Sequence, residues 1–71
     1  MTTTQAEVIT KLAENSMNTT ATAKQMIMHR NSVYHHIMMI RRDTGLNPLN
    51  FYDLCELLRE ANAVLEGKNV G

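Results

Sequence analysis

The sequence predicts a small all-α domain of four helices with a helix-turn-helix at its centre. Apolar residues recur at steps of three and four along most of the 71-residue chain, and no segment alternates with a period of two. Polar clusters and Gly45 divide the chain into four such segments. We predict one domain over residues 5–66, with flexible ends at residues 1–4 and 67–71.

The first helix is predicted over residues 5–15, and a short second helix follows it. Residues 8, 9, 12 and 13 form an apolar stripe at helical spacing. The second helix is predicted from Ala21 to about Met26, with Thr19 or Thr20 as its N-cap because a hydroxyl can accept a bond from a free backbone N–H. Its Ala23 is small enough to let another helix approach closely.

The third helix is predicted from Arg30 to Asp43. His29 stands at the N-cap position, and Gly45 ends the helix as a residue in the left-handed conformation does. Apolar residues and one threonine, four, three and four positions apart, predict its buried face: Val33, Ile37, Ile40 and Thr44.

The last helix is predicted from its cap at Asn50 to Glu66, with Gly67 as its end. Its apolar residues cover about half of the helix circumference, more than the stripe of roughly 100° that a globular helix needs. This excess predicts a contact with a second copy of the chain through five residues: Leu57, Leu58, Ala61, Val64 and Leu65. The alternative is that Leu57 and Val64 only cover the first helix.

The single cysteine, Cys55, is predicted to be buried. It lies within an apolar set formed by Phe51, Leu54 and Leu58, and it has no neighbouring base that would make it a nucleophile. One cysteine cannot form an internal disulfide, which is typical of a reducing cytoplasm.

Charge is balanced overall but unevenly distributed. Seven basic and seven acidic residues give a formal net charge of zero. Residues 29–42 nevertheless contain three arginines, three histidines and no acid, whereas five of the seven acids follow from Asp43 onward. Because attraction of phosphate depends on the local field, this pattern favours an anionic partner at the third helix.

The helix pair indicates a DNA-binding function. A short helix, a tight turn and a longer helix can place the longer helix in the major groove of double-stranded DNA. Asn31 can make two hydrogen bonds to adenine, and Arg30 can contact guanine or phosphate. Arg41 and Arg42 come late enough in the helix to reach the flanking backbone. The predicted DNA contacts are Thr20, Arg30, Asn31, Ser32, Tyr34, His35, Arg41 and Arg42.

One family shares this pattern. The run His29-Arg30-Asn31-Ser32-Val33, followed by Ile37, Ile40 and Thr44-Gly45-Leu46, resembles the C-terminal helix-turn-helix of the PucR and sugar-diacid-regulator family, and Asn18-x-Thr20-x-x-Ala23 fits its opening. Fis-type domains, in the wider group, are similar around Arg30-x-Ser32-Val33-Tyr34. The resemblance implies a four-helix DNA-binding domain used in bacterial transcription regulation, generally as a dimer. It also implies that Arg30, Asn31, Ser32 and His35 carry the DNA contacts.

The chain departs from the family pattern at five positions. Basic residues are usual in the family where this chain has Tyr34, His36, Met38 and Met39, so we expect weaker electrostatic anchoring. Ile27 stands where many such turns have glycine. Because a β-branched residue disfavours positive φ, we predict a turn of a different shape here.

Other functions are not expected. No paired carboxylates, catalytic triad or phosphate-binding loop is present, so we predict no catalytic residue and no enzyme. His35 and His36 point about 100° apart on a helix, so no metal site is expected, and neither is a cofactor or a small-molecule ligand. No apolar run approaches the roughly 18–20 residues that cross a bilayer.

The leading hypothesis is a cytoplasmic, homodimeric DNA-binding transcription regulator of a bacterium or phage. The alternative is a helical protein-interaction or adaptor module, such as a phage anti-repressor or assembly factor, that keeps the fold without binding DNA. The operator, the direction of regulation and an effector are left open. Whether the chain is a stand-alone protein or part of a longer regulator is also open.

Overall fold

The chain folds into four helices and no strand within the residues that the structure, a computed structural model, describes: the backbone of residues 1–70 and the side chains of residues 1–67. The helices are α1 (Thr3–Glu14), α2 (Thr19–Gln25), α3 (Arg30–Thr44) and α4 (Phe51–Val70). The predicted all-α architecture is therefore confirmed. None of these helices is both long and apolar enough to cross a membrane.

Helix α1 begins two residues earlier than predicted because Thr2 and Gln5 form a capping box. The Gln5 N–H donates to the Thr2 hydroxyl (3.1 Å), and the Thr2 N–H donates to Gln5 Oε1 (3.0 Å). This reciprocal pair satisfies two backbone donors that a helix start leaves free. The Thr-x-x-Gln spacing in the sequence is the pattern typical of a capping box.

Helix α2 also begins earlier, at Thr19, and the prediction of a threonine N-cap is wrong. Asn18 is the cap, and its side-chain oxygen accepts a hydrogen bond from the Ala21 N–H (3.0 Å). Asparagine caps helices at least as well as threonine, and here it lies three residues before a free N–H. Thr19 and Thr20 are therefore the first two helical residues, and the Thr20 side chain is exposed.

The turn between α2 and α3 has the ordinary shape of a helix end, so the prediction of a different shape at Ile27 is wrong. Ile27 has φ +53° and follows the helix as a left-handed residue. The Ile27 N–H donates to the Lys24 carbonyl (3.2 Å), and the Met28 N–H donates to the Ala23 carbonyl (3.0 Å). These are the two bonds of the Schellman motif. The isoleucine adopts the strained conformation because the turn satisfies these backbone groups.

Replacing Ile27 with glycine is expected to raise the free energy of unfolding by about 0.5–1 kcal/mol. The left-handed conformation costs a residue with a Cβ about 1–2 kcal/mol, and the extra unfolded-state entropy of glycine offsets about 0.5–1 kcal/mol of that gain. The side chain contributes little packing because it is 93% exposed. Urea unfolding measures the change. Ile27→Ala is the control, since it keeps a Cβ, and an equal gain in both variants would contradict the argument.

The ends of α3 confirm the prediction, and the end of α4 corrects it. His29 caps α3, and Gly45 follows it with φ +76°. Asn50 caps α4 by accepting from the Asp53 N–H (3.1 Å). Helix α4 then continues through Gly67 to Val70, because a glycine is tolerated in a helix at a cost of about 1 kcal/mol. Of the predicted flexible ends, Gly71 lies outside the described residues.

The core lies between α1 and the other helices. Helix α1 contacts α2, α3 and α4, whereas α4 packs against α1 and against no other helix within the described part of the chain. Leu57 and Ala61 are fully buried in this contact. The prediction that these two side chains contact a second copy does not fit this burial, because they already cover α1. Leu58, Val64 and Leu65 are only half-buried.

The prediction that Cys55 is buried is wrong. Its side chain is exposed, and Phe51 is 60% exposed. Because successive residues of a helix turn by about 100°, the side of α4 that carries Leu54, Leu57 and Ala61 is the one buried against α1. Cys55 lies off that side. The prediction counted every apolar residue near Cys55 as buried, so the predicted buried face of α4 was wider than the observed one.

Candidate nucleic-acid interface

The helix-turn-helix is held by small and apolar residues on the inner sides of α2 and α3. Ala23 of α2 is buried, as predicted, and so are three residues of α3: Val33, Ile37 and Ile40. Helix α3 packs against both α2 and α1. With one side fixed in this way, the opposite side of α3 is presented to solvent.

The exposed side of α3 carries four side chains at successive turns, and we call it the outward face: Asn31, His35, Met38 and Arg42. All four are exposed, and at 100° per residue they fall within an arc of about 60°. The Arg42 guanidinium contacts the Asp43 carboxylate (Nε to Oδ1 3.2 Å), so part of its charge is balanced locally. The outward face is thus mixed in character, with an amide, an imidazole, a thioether and a paired cation.

The first turn of α3 presents its polar side chains freely because His29 provides the cap. The Asn31 N–H donates to His29 Nδ1 (3.1 Å), so the Asn31 side chain is not needed for capping. Within the described residues that side chain makes no hydrogen bond, and Arg30 makes no ion pair. Arg30, Asn31 and Ser32 are all exposed. These are the groups that can turn to a ligand without breaking internal contacts.

Tyr34 links α3 to the start of α2. Its hydroxyl lies 3.1 Å from the Thr19 hydroxyl, and the next residue, Thr20, is exposed. This hydrogen bond joins the phenol of Tyr34 to the first residue of α2. Sequence reasoning missed Thr19, whose role follows only from the packing of α2 against α3.

The remaining predicted contacts lie on both flanks of the outward face. By helical phase Arg30, Tyr34 and Arg41 share the flank toward α2, whereas Ser32 lies on the other flank. All eight predicted residues are therefore exposed on α2 and α3, on the outward face or on its two flanks. The structure also adds Met38, which was not among the predicted contacts although its helical phase indicated the outward face.

Arginines predominate on α3, where Asp43 is the one acidic residue, whereas acidic residues predominate on α4. The cations of the interface are on α3, whereas Asp53, Glu56, Glu60 and Glu66 are on α4, which does not contact α3 within the described residues. Zero net charge therefore coexists with a locally positive surface. The field at α3, rather than the total, governs attraction of a polyanion.

Small and apolar residues are buried between α2 and α3, a Schellman turn joins the two helices, and α3 exposes a polar face. Together these features define a helix-turn-helix DNA-binding domain. The profile of the PucR C-terminal helix-turn-helix domain family matches residues 6–59, most of the described chain. The chain belongs to this family, which confirms the resemblance seen in its motifs. No curated protein and no solved structure gives a significant match.

Proposed function

We propose that this protein is a transcription regulator that binds double-stranded DNA with α3 in the major groove, in the cytoplasm of a bacterium or of a phage-infected bacterial cell. The observation that carries the proposal is the first turn of α3, where the side chains of Arg30 and Asn31 are exposed and have no hydrogen-bond or ion-pair partner among the described residues. The family is a DNA-binding one, not an enzyme family, which agrees with this role.

Each predicted residue has a role that suits its position. Asn31 and His35, on the outward face, contact base edges, and an asparagine amide pairs well with adenine. Arg30 lies on the flank of that face toward α2 and contacts guanine or phosphate. The remaining hydroxyl and guanidinium groups contact the DNA backbone and fix the position of the helix: Thr20, Ser32, Tyr34, Arg41 and Arg42.

Salt dependence of DNA binding tests this function. Sites selected from a random DNA pool would be titrated by fluorescence anisotropy, and the affinity should fall as salt rises, with a slope near −0.9 for each phosphate neutralised. In a plot of log affinity against log salt concentration, Arg41→Ala should reduce the magnitude of the slope by about 0.9 per chain. The control, Arg59→Ala, removes an exposed arginine on α4 and should leave the slope unchanged. Absence of binding at about 50 mM salt would exclude the function.

We also propose that the protein binds DNA as a homodimer through α4, on a surface shifted from the one predicted. Phe51, Leu58 and Leu65 are seven residues apart, so they form a stripe along one flank of the helix, beside the residues buried against α1. Phe51 is exposed, and the other two are half-buried. Two copies joined here would present their α3 helices to half-sites roughly 34 Å apart.

The dimer is tested by replacing apolar residues of this stripe with a charged or a polar residue. Leu58→Glu and Phe51→Ser should both give monomers in sedimentation equilibrium, because each removes apolar contact area at the stripe. Their affinity for DNA with two half-sites should fall to that for one half-site. Ala63→Glu is the control, since Ala63 is exposed on another side of α4. A wild-type protein that stays monomeric at DNA-binding concentrations would contradict the proposal.

A second candidate function is the helical protein-interaction module. Two observations favour it: the partial neutralisation of Arg42 by Asp43 and the exposed apolar side chain of Met38 on the face that DNA would contact. The salt titration separates the two functions, because a protein-interaction module would not bind DNA in a salt-dependent manner.

A further inference from the structure

Met38 is an apolar side chain at the middle of an otherwise polar face. It is 66% exposed, and it lies one turn after His35 and one turn before Arg42 on the outward face of α3. The core of the protein does not need it, because the buried side of α3 is formed by Val33, Ile37 and Ile40. This solvent-exposed thioether is therefore not part of the core that the described residues form.

The major groove offers one apolar group that such a side chain fits. Of the base-pair edges in the groove, only those containing thymine present a methyl group, while the others present hydrogen-bond donors and acceptors. A methionine is unbranched, flexible and polarisable, so it can adapt to a small apolar group without a hydrogen-bonding partner. A lysine or arginine at this position would contact a phosphate or guanine instead.

We propose that Met38 contacts the 5-methyl group of a thymine and is a specificity-determining residue of the α3 interface. This proposal rests on the proposed DNA-binding function. Met38 lies about 10 Å along the helix from Asn31. Because a recognition helix lies in the major groove and not along the DNA axis, the thymine is expected within a few base pairs of the base that Asn31 contacts, at a fixed separation from it.

Deoxyuridine provides a clean test, because it differs from thymidine only by the absence of the 5-methyl group. A DNA site selected from a random pool by the wild-type protein would be resynthesised with each thymine replaced in turn by uracil. At one position the affinity of the wild-type protein should fall about three- to fivefold, as expected for losing burial of one methyl-sized group. The same replacement should have no effect on the affinity of Met38→Ala.

A second variant and a restored methyl group sharpen the result. Met38→Leu keeps an apolar side chain and should retain part of the dependence on the methyl group. Placing 5-methylcytosine rather than cytosine at the same position should raise wild-type affinity but not that of Met38→Ala. Thermal unfolding of both variants checks that they remain folded, which is expected because the side chain is mostly exposed.

Three outcomes would overturn the proposal. If the affinity of the wild-type protein is unchanged at every uracil position, no methyl contact exists. If Met38→Ala loses as much affinity as the wild-type protein, another residue makes the contact. In both cases salt-dependent DNA binding persists, so the proposed function stands. Absence of salt-dependent binding by the wild-type protein would instead remove the DNA-binding function and the thymine contact together.

Discussion

Leu57→Ala is expected to lower the free energy of unfolding by about 2–5 kcal/mol, because it leaves a cavity in the contact between α1 and α4. Leu57 is fully buried, and α1 is the only helix that α4 contacts in the described residues. A chain of this size has roughly 4–11 kcal/mol of stability, so the loss would be a large part of the total. Urea unfolding followed by circular dichroism measures it.

The same measurement separates a core role of Leu57 from an interface role. Substitution of a core residue lowers the free energy of unfolding equally at low and high protein concentration. Substitution of an interface residue has a larger effect at concentrations where the dimer forms, because association stabilises the folded state by mass action. Leu49→Ala is the control, since that leucine is 41% exposed and its loss should cost far less. A loss below about 1 kcal/mol for Leu57→Ala would contradict its place in the core.

Asn31→Ala is expected to reduce discrimination at one base pair of the selected DNA site by about 1–3 kcal/mol, or roughly 5- to 150-fold in relative affinity. The Asn31 side chain is exposed on the outward face, and the cap formed by His29 leaves its amide free of hydrogen bonds within the described residues. The amide N–H of Asn31 can donate to N7 of adenine while Oδ1 accepts from the N6 amino group, so the two bonds together select adenine. Selection from a random DNA pool, repeated with the variant, measures the loss.

The matched control is Asn62→Ala, which removes an exposed asparagine from α4. It should leave the selected sequence unchanged. Equal affinity loss of the Asn31 variant on every sequence, with the preference intact, would instead assign Asn31 to the phosphate backbone, because backbone contacts carry no sequence information.

The fold was predictable to the level of elements because local signals agree with one another. Helical spacing of apolar residues, the glycine after α3 and the asparagine before α4 act over a few residues and are visible in the sequence. Boundaries were missed where two good caps compete, as at Asn18 and Thr19. In such a case the choice depends on which backbone N–H groups the folded turn leaves free.

The candidate site was predictable for the same reason, but its arrangement was not. The outward face follows from helical phase, so Asn31 and His35 could be placed on it from sequence alone. The hydrogen bond between Tyr34 and Thr19 joins residues 15 positions apart, and its existence depends on how α2 crosses α3. The pairing of Arg42 with Asp43 likewise depends on rotamers that sequence spacing does not set.

The sequence by itself determined the helix-turn-helix, its family and the exposed polar start of α3. The tertiary structure decided the rest: that Ile27 takes the left-handed turn, that Leu57 belongs to the core and that Cys55 does not. The physical reason is that helical periodicity defines which residues share a side of a helix. Only the packing of α4 against α1 defines which side of α4 is covered. The strain at Ile27 is offset only in the folded turn, where the backbone groups are hydrogen-bonded.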